Sequence, residues 1–441
     1  MMLSWRDRWA RNLVIRFLND FITSGCLIFL EKDGTVLTFG DTPQESSLKV
    51  SLKIHNPQFY WKVATEADLG FADAYINGDI SFLDPNEGLL NFFVIYISSE
   101  EKRKASLPNS SFSLRNWHCT PLFLSAGLTY AKSFFKYVFN KNTLTEAHRN
   151  VSHHYDLSND LFTQFMDETV AYSCAIFKSV DEDLKTAQLR KISSFIEKAK
   201  ISKEHHVLEI GCGWGTLAIE AVKRTGCQYT GITLSTEQLA YAEQKVKEAG
   251  LQDRVKLMLC DYRHLPETIK YDRIIACEMV EHVGDVFLEK FFSCCDSALA
   301  ENGILVLQFS SVPDQRYEDF RKCPSFIREY MFPGGIMLSL NRVVTAMTSA
   351  SKLCVEHVEN IGFHYYPTLK NWRKNFVESK REILDLGFDE KFIRTFEYYF
   401  DYTAAGFKTG IIGNYQVYTI IGFSFFSFFF FLGGFYAHNM H

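Results

Sequence analysis

The run Val207-Leu208-Glu209-Ile210-Gly211-Cys212-Gly213-Trp214-Gly215-Thr216 carries the strongest chemical signal in the chain. A short apolar strand pattern leads straight into glycines at alternate positions and then into a helical pattern. Glycine there lets the backbone approach a ligand without Cβ obstruction and permits positive φ. Glu209, at the strand end, can accept hydrogen bonds or balance a positive charge. A dinucleotide site needs G-x-G-x-x-G and an acid about twenty residues further on. Here the third glycine comes one residue early, and the second strand ends Gly231-Ile232-Thr233-Leu234-Ser235 without an acid. Nicotinamide and flavin cofactors are therefore disfavoured. Asp261, followed by Tyr262, ends the third strand and suits an adenine amino group. Thr233, Ser235 and Gln238 suit the ribose and amino-acid end of S-adenosylmethionine (SAM). All fall at carboxyl ends of expected strands, where open α/β sheets bind ligands. Together with Cys212 and Trp214 of the glycine turn, they predict a SAM site.

The elements that must hold these residues alternate from about residue 192. Strands are expected over 207–210, 229–234, 255–259, 273–277 and 304–309, and helices over 215–224, 236–249 and 287–298. That alternation predicts an α/β fold with a parallel, Rossmann-like sheet and helices on both faces. Residues up to about 100 mix short strand-like runs (27–30, 36–39, 48–54) with a helical stretch near 66–75, a smaller mixed α+β domain. The expected division is 1–100 for that domain, 101–139 for a linker and helical connector, 140–416 for the SAM-binding domain and 417–441 for a tail. With 47% hydrophobic and 22% charged residues, the 441-residue chain has ample core material. A net charge of −5 and no long basic block argue against nucleic acid. Eleven scattered cysteines without a C-x-x-C pair fit a reduced, cytoplasmic protein rather than a zinc site or disulfide framework. His153 and His154 have no third spaced ligand, so no metal is expected.

Six strings, the glycine turn among them, set the reading: His154-Tyr-Asp-Leu-Ser-Asn-Asp-Leu161, Tyr172-Ser173-Cys174-Ala175, the glycine turn, Glu278-Met-Val-Glu281-His-Val-Gly284, Glu329-Tyr-Met-Phe-Pro-Gly-Gly335 and His364-Tyr365-Tyr-Pro-Thr-Leu369. In this order they resemble the cyclopropane-fatty-acyl-phospholipid synthase family, especially the catalytic portion of its plant-type members, from about residue 49 to about 418. The resemblance implies a class I SAM-dependent methyltransferase that adds one carbon to unsaturated acyl chains of membrane phospholipids. It also implies SAM as cosubstrate, with Tyr172 and Ser173 beside it, and a bound bicarbonate as base. The matching holders of that ion are Cys174, Glu281, Gln308, the Ser310 backbone and Tyr365. Gln308 stands where bacterial-type members have His, and Thr403 where relatives often carry Cys.

Taken singly, these residues have plainer readings. Cys174 alone is a buried small residue, Glu281 with His282 a helix start, and Tyr365 core packing; only the joint context makes them functional. Two rivals stay open. A relative that methylates an amine is disfavoured by the lipid-type N-terminal strings Asn56-Pro-Gln-Phe-Tyr-Trp61 and Ala74-Tyr-Ile-Asn-Gly78. A lipid-binding protein with a decayed site is favoured by Thr403 and the tail, and opposed by the intact glycine turn.

At the N-terminus, Trp5, Trp9, Leu13 and Phe17 recur every four residues among Arg6, Arg8, Arg11 and Arg16. This pattern serves equally for a helix docked on its own domain and for one lying on a membrane surface. After the fifth strand, Phe332-Pro-Gly-Gly335 is expected in a lid over the acyl chain, with Arg321, Lys322 and Arg328 suiting a phosphate headgroup. The tail runs 20 positions without a charge over 417–436, long enough to span a bilayer, although a Phe run of this kind is also what T-rich non-coding sequence would encode. A second copy of the chain and a peripheral membrane location complete the expected partners.

Overall fold

In the computed structural model, residues 4–422 are described except 43, 45, 106–156, 180 and 324. The chain opens with α1 (Trp5–Phe21), whose first turn is capped by Ser4. The face it buries is Ala10, Val14, Leu18 and Phe21, while Trp5 and Trp9 stay 74% and 45% exposed. The docked stripe is thus rotated by one residue from the expected one, because small Ala10 lets the helix approach where a Trp would not. Strands β1 (Cys26–Leu30), β2 (Val36–Gly40) and β3 (Lys49–Ile54) follow, then α2 (Gln58–Ile76), β4 (Ile80–Phe82) and α3 (Gly88–Ala105). They form a four-stranded sheet in the order β2-β1-β3-β4. Helix α3 runs through residues 101–105, assigned above to the connector. The helical stretch expected over 121–151 lies outside the described residues.

After α4 (Asn159–Phe165) and α5 (Leu184–Lys198), the chain enters the alternating region: β5 (His206–Ile210), α6 (Thr216–Thr225), β6 (Gln228–Thr233), α7 (Thr236–Glu248), β7 (Val255–Leu259), β8 (Tyr271–Cys277), α8 (Leu288–Ala298) and β9 (Leu299–Ser311). Then come α9 (Asp314–Lys322), α10 (Leu340–Ala350), β10 (Leu353–Asn360), α11 (Tyr365–Glu378), α12 (Lys380–Asp385), α13 (Glu390–Lys408) and β11 (Gly413–Ile421). The seven-stranded sheet has the order β10-β11-β9-β8-β5-β6-β7. β5, β6, β7, β8 and β9 run parallel, and β11 is reversed between β9 and β10. The strand order turns at β5, between β8 and β6, and ligands of open α/β sheets sit at such a point. β11 continues through Ile421, past the boundary set at 416. Its β-branched end pairs with β9 and β10.

The two sheets share one apolar core. Phe71 of α2 and Phe93 of α3 pack on Tyr398 of α13, and Phe92 stacks on Phe71 at 4.4 Å. Beneath this seam a buried pair, Arg373 with Asp401 at 2.9 Å, ties α11 to α13, and Arg373 also donates to the Pro85 carbonyl. The N-terminal sheet is therefore welded to the helices that carry Tyr365 and Tyr399.

Candidate active site: a cofactor cleft and a carboxylate hub

The β5–α6 turn delivers the expected geometry. Gly211, Gly213 and Gly215 all take positive φ, at 83°, 52° and 84°. A Cβ on Gly211 would meet Met279 Cγ at 2.9 Å, whereas one on Gly213 would meet nothing within 4 Å. Gly213 is thus the open point of the turn, where a ligand approaches the backbone. The cleft above it is lined by Tyr172, Ser173, Glu209, Gly211, Cys212, Gly213, Trp214, Thr233, Gln238, Asp261 and Tyr262. Ser235 departs from expectation. It is fully buried and absent from the cleft wall, its hydroxyl instead accepting from Gln238 N to cap α7. A short hydroxyl after a strand serves the nearest orphan helix N–H first.

The wall is pre-set. Thr233 donates to Gln238 Oε1 at 2.8 Å, which leaves the Gln238 amide N–H groups for a ligand. Trp214 donates to Asn159 Oδ1 at 2.7 Å. Arg263 holds both oxygens of Asp261; burial opposes ionisation there, but these bonds outweigh it and keep the carboxyl below its usual range. Glu209 accepts from Tyr229 at 3.0 Å. Burial pushes its pKa up to about 8, against the Tyr229 bond and the charge of Lys191. Lys191, buried in the same wall, donates to Ser173 Oγ at 2.7 Å. The cleft thus offers an acid and a base to a ligand bearing an ammonium, a sulfonium and a carboxylate. SAM fits it. Lys191 was invisible to sequence reading, being one lysine among many on an amphipathic helix.

The second set converges on a residue named above only within a motif. Glu278 follows β8 directly and takes a left-handed φ of 51°. Its Oε1 accepts from Cys174 N (3.0 Å), Gln308 Nε2 (2.8 Å) and Asn414 Nδ2 (2.7 Å), and its Oε2 from the Tyr365 hydroxyl (2.7 Å). Strand register brings them together: Cys277 pairs with Gln308, Gln308 with Gln416, and Ser310 with Asn414. Gln416 Nε2 donates to Gln308 Oε1 at 2.8 Å, so the Gln308 amide can present only N–H to Glu278. The Gln416 carbonyl oxygen is held in turn by Ser194 and Lys198.

Of the four catalytic candidates, Cys174, Gln308 and Tyr365 surround Glu278, and Glu281 stands beside them. Cys174 enters through its backbone N–H; its thiol lies 3.7 Å from the Ile361 carbonyl and is pushed up by burial and the Glu278 charge. Tyr365 is raised by the same two causes. Glu281 accepts from Ser310 N at 2.6 Å, and its other oxygen has no partner. Burial, then the Glu278 charge, pushes Glu281 up to about 8. None of these four lines the cofactor cleft; Glu278 does. The signal for Glu278 was available, since two acids three residues apart at a strand end form the paired-carboxylate pattern. Asn414 gave none.

The residues present do not fit a bicarbonate at this place. Of the N–H and O–H donors that would hold it, Cys174 N, Gln308 and Tyr365 already serve the Glu278 carboxylate and Ser310 N serves Glu281, and a further anion would sit against Glu278.

Two further expectations change. Arg321 and Lys322 both pair with Glu318, and Arg328 donates to the Arg321 and Cys323 carbonyls. Arg321 also faces Asp285 at 3.7 Å, so these side chains are engaged as cross-links of the fold rather than arranged as a phosphate cradle. The insertion does reach the site: Ile336 N donates to the Glu281 carbonyl, and Phe332 packs edge-on to Tyr399 and His282. The Thr403 hydroxyl is buried without a hydrogen-bond partner. Among the described residues no cluster of ligands could hold a metal ion, and no helix is long and apolar enough to cross a membrane.

A model of the family described as "Mycolic acid cyclopropane synthetase" matches residues 142–417. The chain belongs to that family. It is 33% identical over 374 residues to the tuberculostearic acid methyltransferase UfaA1 of Mycobacterium tuberculosis, covering 83% of this chain and 82% of that one. It is 30% identical over 373 residues to the cyclopropane-fatty-acyl-phospholipid synthase of Escherichia coli, covering 84% and 88%. The crystal structure of the mycolic acid cyclopropane synthase CmaA1 complexed with SAH and CTAB superposes with a TM-score of 0.56 at 29% identity, covering 62% of this chain and 98% of that one. The protein is a class I SAM-dependent methyltransferase of lipid metabolism.

Proposed function

We propose that the protein transfers the SAM methyl carbon to a cis double bond in the acyl chain of a membrane phospholipid and closes it to a cyclopropane ring. The observation that carries this reading is the hub: a charged carboxylate at the edge of the cofactor cleft, backed by aromatic rings. Tyr365 stacks on Phe407 at 4.5 Å, and the Tyr399 hydroxyl lies 3.2 Å from that of Tyr172 in the cleft wall. An alkene is a feeble nucleophile and needs its π electrons in line with the sulfonium methyl inside a dry pocket. Attack leaves a carbocation, which aromatic faces and a carboxylate stabilise. An amine acceptor needs no such surroundings.

Support for the acceptor comes from the relatives, one named for fatty-acyl phospholipid and another for tuberculostearic acid. Sphingolipid C9-methyltransferases are also similar, that of Candida albicans at 32% identity over 60% of this chain. Exposed Trp5 and Trp9, with Arg6 stacked 4.1 Å over Trp61, give the N-terminal helix an aromatic and basic outer face suited to a bilayer interface. A peripheral membrane location and a second copy of the chain as partner belong to the same reading.

The test is purified protein with methyl-labelled SAM and vesicles of dioleoyl phospholipid, followed by mass spectrometry of the released acyl chains. The expected product carries one labelled carbon and no remaining double bond. Label on added amines, with none in lipid, would remove the acceptor from consideration.

A further inference from the structure

We infer that Glu278 is the general base that closes the ring, so that this chain supplies from its own sequence the base that its family resemblance assigns to a bound bicarbonate. The inference rests on the acyl double bond being the acceptor.

Four observations carry it. The carboxylate occupies the point on which Cys174 N, Gln308, Asn414 and Tyr365 converge, at 2.7–3.0 Å. Every one of those groups donates, so they hold a charged carboxylate and none competes for its proton. Three of the four bonds fall on Oε1; Oε2, with Tyr365 alone, keeps acceptor capacity. Glu278 is also the one member of the hub that lines the cofactor cleft. Finally, a non-glycine residue at φ 51° is a strained backbone. Such strain persists where surrounding structure enforces it and concentrates at functional sites; here it turns the carboxylate from the strand end into the hub.

The chemistry balances. The alkene π pair forms a bond to the methyl carbon while the C–S bond breaks and its electrons stay on sulfur, giving S-adenosylhomocysteine. The acyl chain is left with a cationic carbon. Glu278 takes a proton from the newly attached carbon, and the released C–H pair closes the second ring bond. After product leaves, the proton returns to solvent through the cleft. A carbon acid beside a cation is strongly acidic, so position matters more than base strength, and a carboxylate is adequate.

The test uses full-length protein and dioleoyl phospholipid vesicles, with ring formation followed by mass spectrometry. Wild-type turnover is expected to be the same in bicarbonate-free buffer and after bicarbonate is restored; stimulation by bicarbonate would overturn the proposal. Glu278→Gln should bind SAM by calorimetry yet lose about 10²–10⁴-fold in ring formation, and a rate within threefold of wild type would equally overturn it. Should that variant fail to fold, the wild-type comparison decides. In Glu278→Gly, added bicarbonate should restore part of the rate; without that rescue Glu278 is a strut and not a base. Wild-type protein that puts no label into lipid defeats the acceptor reading itself, whereas lipid labelling that depends on bicarbonate defeats only the assignment of Glu278.

Discussion

The cofactor cleft and the carboxylate hub meet at the ends of the same strands but are assembled differently. The cleft draws much of its wall from short contiguous stretches after β5, β6 and β7, and several of these bonds are local: Thr233 with Gln238, Asp261 with Arg263. The hub draws one residue from each of five distant places, Cys174, Glu278, Gln308, Tyr365 and Asn414. Local turns therefore build a binding surface, while charge is placed for chemistry only by the register of β8, β9 and β11. Damage to the cleft should appear in SAM affinity, and damage to the hub in turnover with affinity intact.

The sharpest way to break that division is Tyr365→Phe. It removes a bond to a charged group, a loss of about 1.5–3 kcal/mol, so kcat should fall about ten- to a hundredfold while the SAM Kd from calorimetry stays put. A matching change in Kd would merge the two regions into one. Gly211→Ala is the converse. With φ 83° and Met279 at 2.9 Å, the strain of about 1–2 kcal/mol should raise the SAM Kd about tenfold and spare kcat at saturating SAM.

A pH series sharpens the comparison further. Glu209, at about 8 in the free protein, must release its proton when a cationic ligand settles beside it. SAM affinity should accordingly rise with pH toward about 8, by at most about tenfold per unit, and level off above. Calorimetry in buffers of different ionisation heat would count the proton. The same shift has the opposite sign for stability of the ligand-free protein. A folded-state value above the ordinary 4.5 favours folding at low pH, and that contribution is lost as pH rises through about 8. Glu209→Gln should flatten both profiles.

The smallest effect is assigned to Ser235→Ala. Loss of an N-cap costs about 1 kcal/mol, read as a lower Tm, with SAM affinity less changed than in Gln238→Ala. If affinity falls first, Ser235 belongs to the cleft wall after all.

By itself the sequence determined the alternating α/β pattern and the glycine turn, and eleven of the twelve residues it marked for a cofactor line the cleft, because strand period, glycine φ and strand-end position are local properties. It also marked Cys174, Gln308 and Tyr365 as belonging together. Only tertiary structure decided what they surround. That Glu278 rather than Glu281 gathers four donors depends on groups brought from the Cys174 segment, β9, α11 and β11, and this cannot be read along the chain. The same holds for α1, where packing of Ala10 against the domain, rather than the tryptophan repeat, chose the buried face.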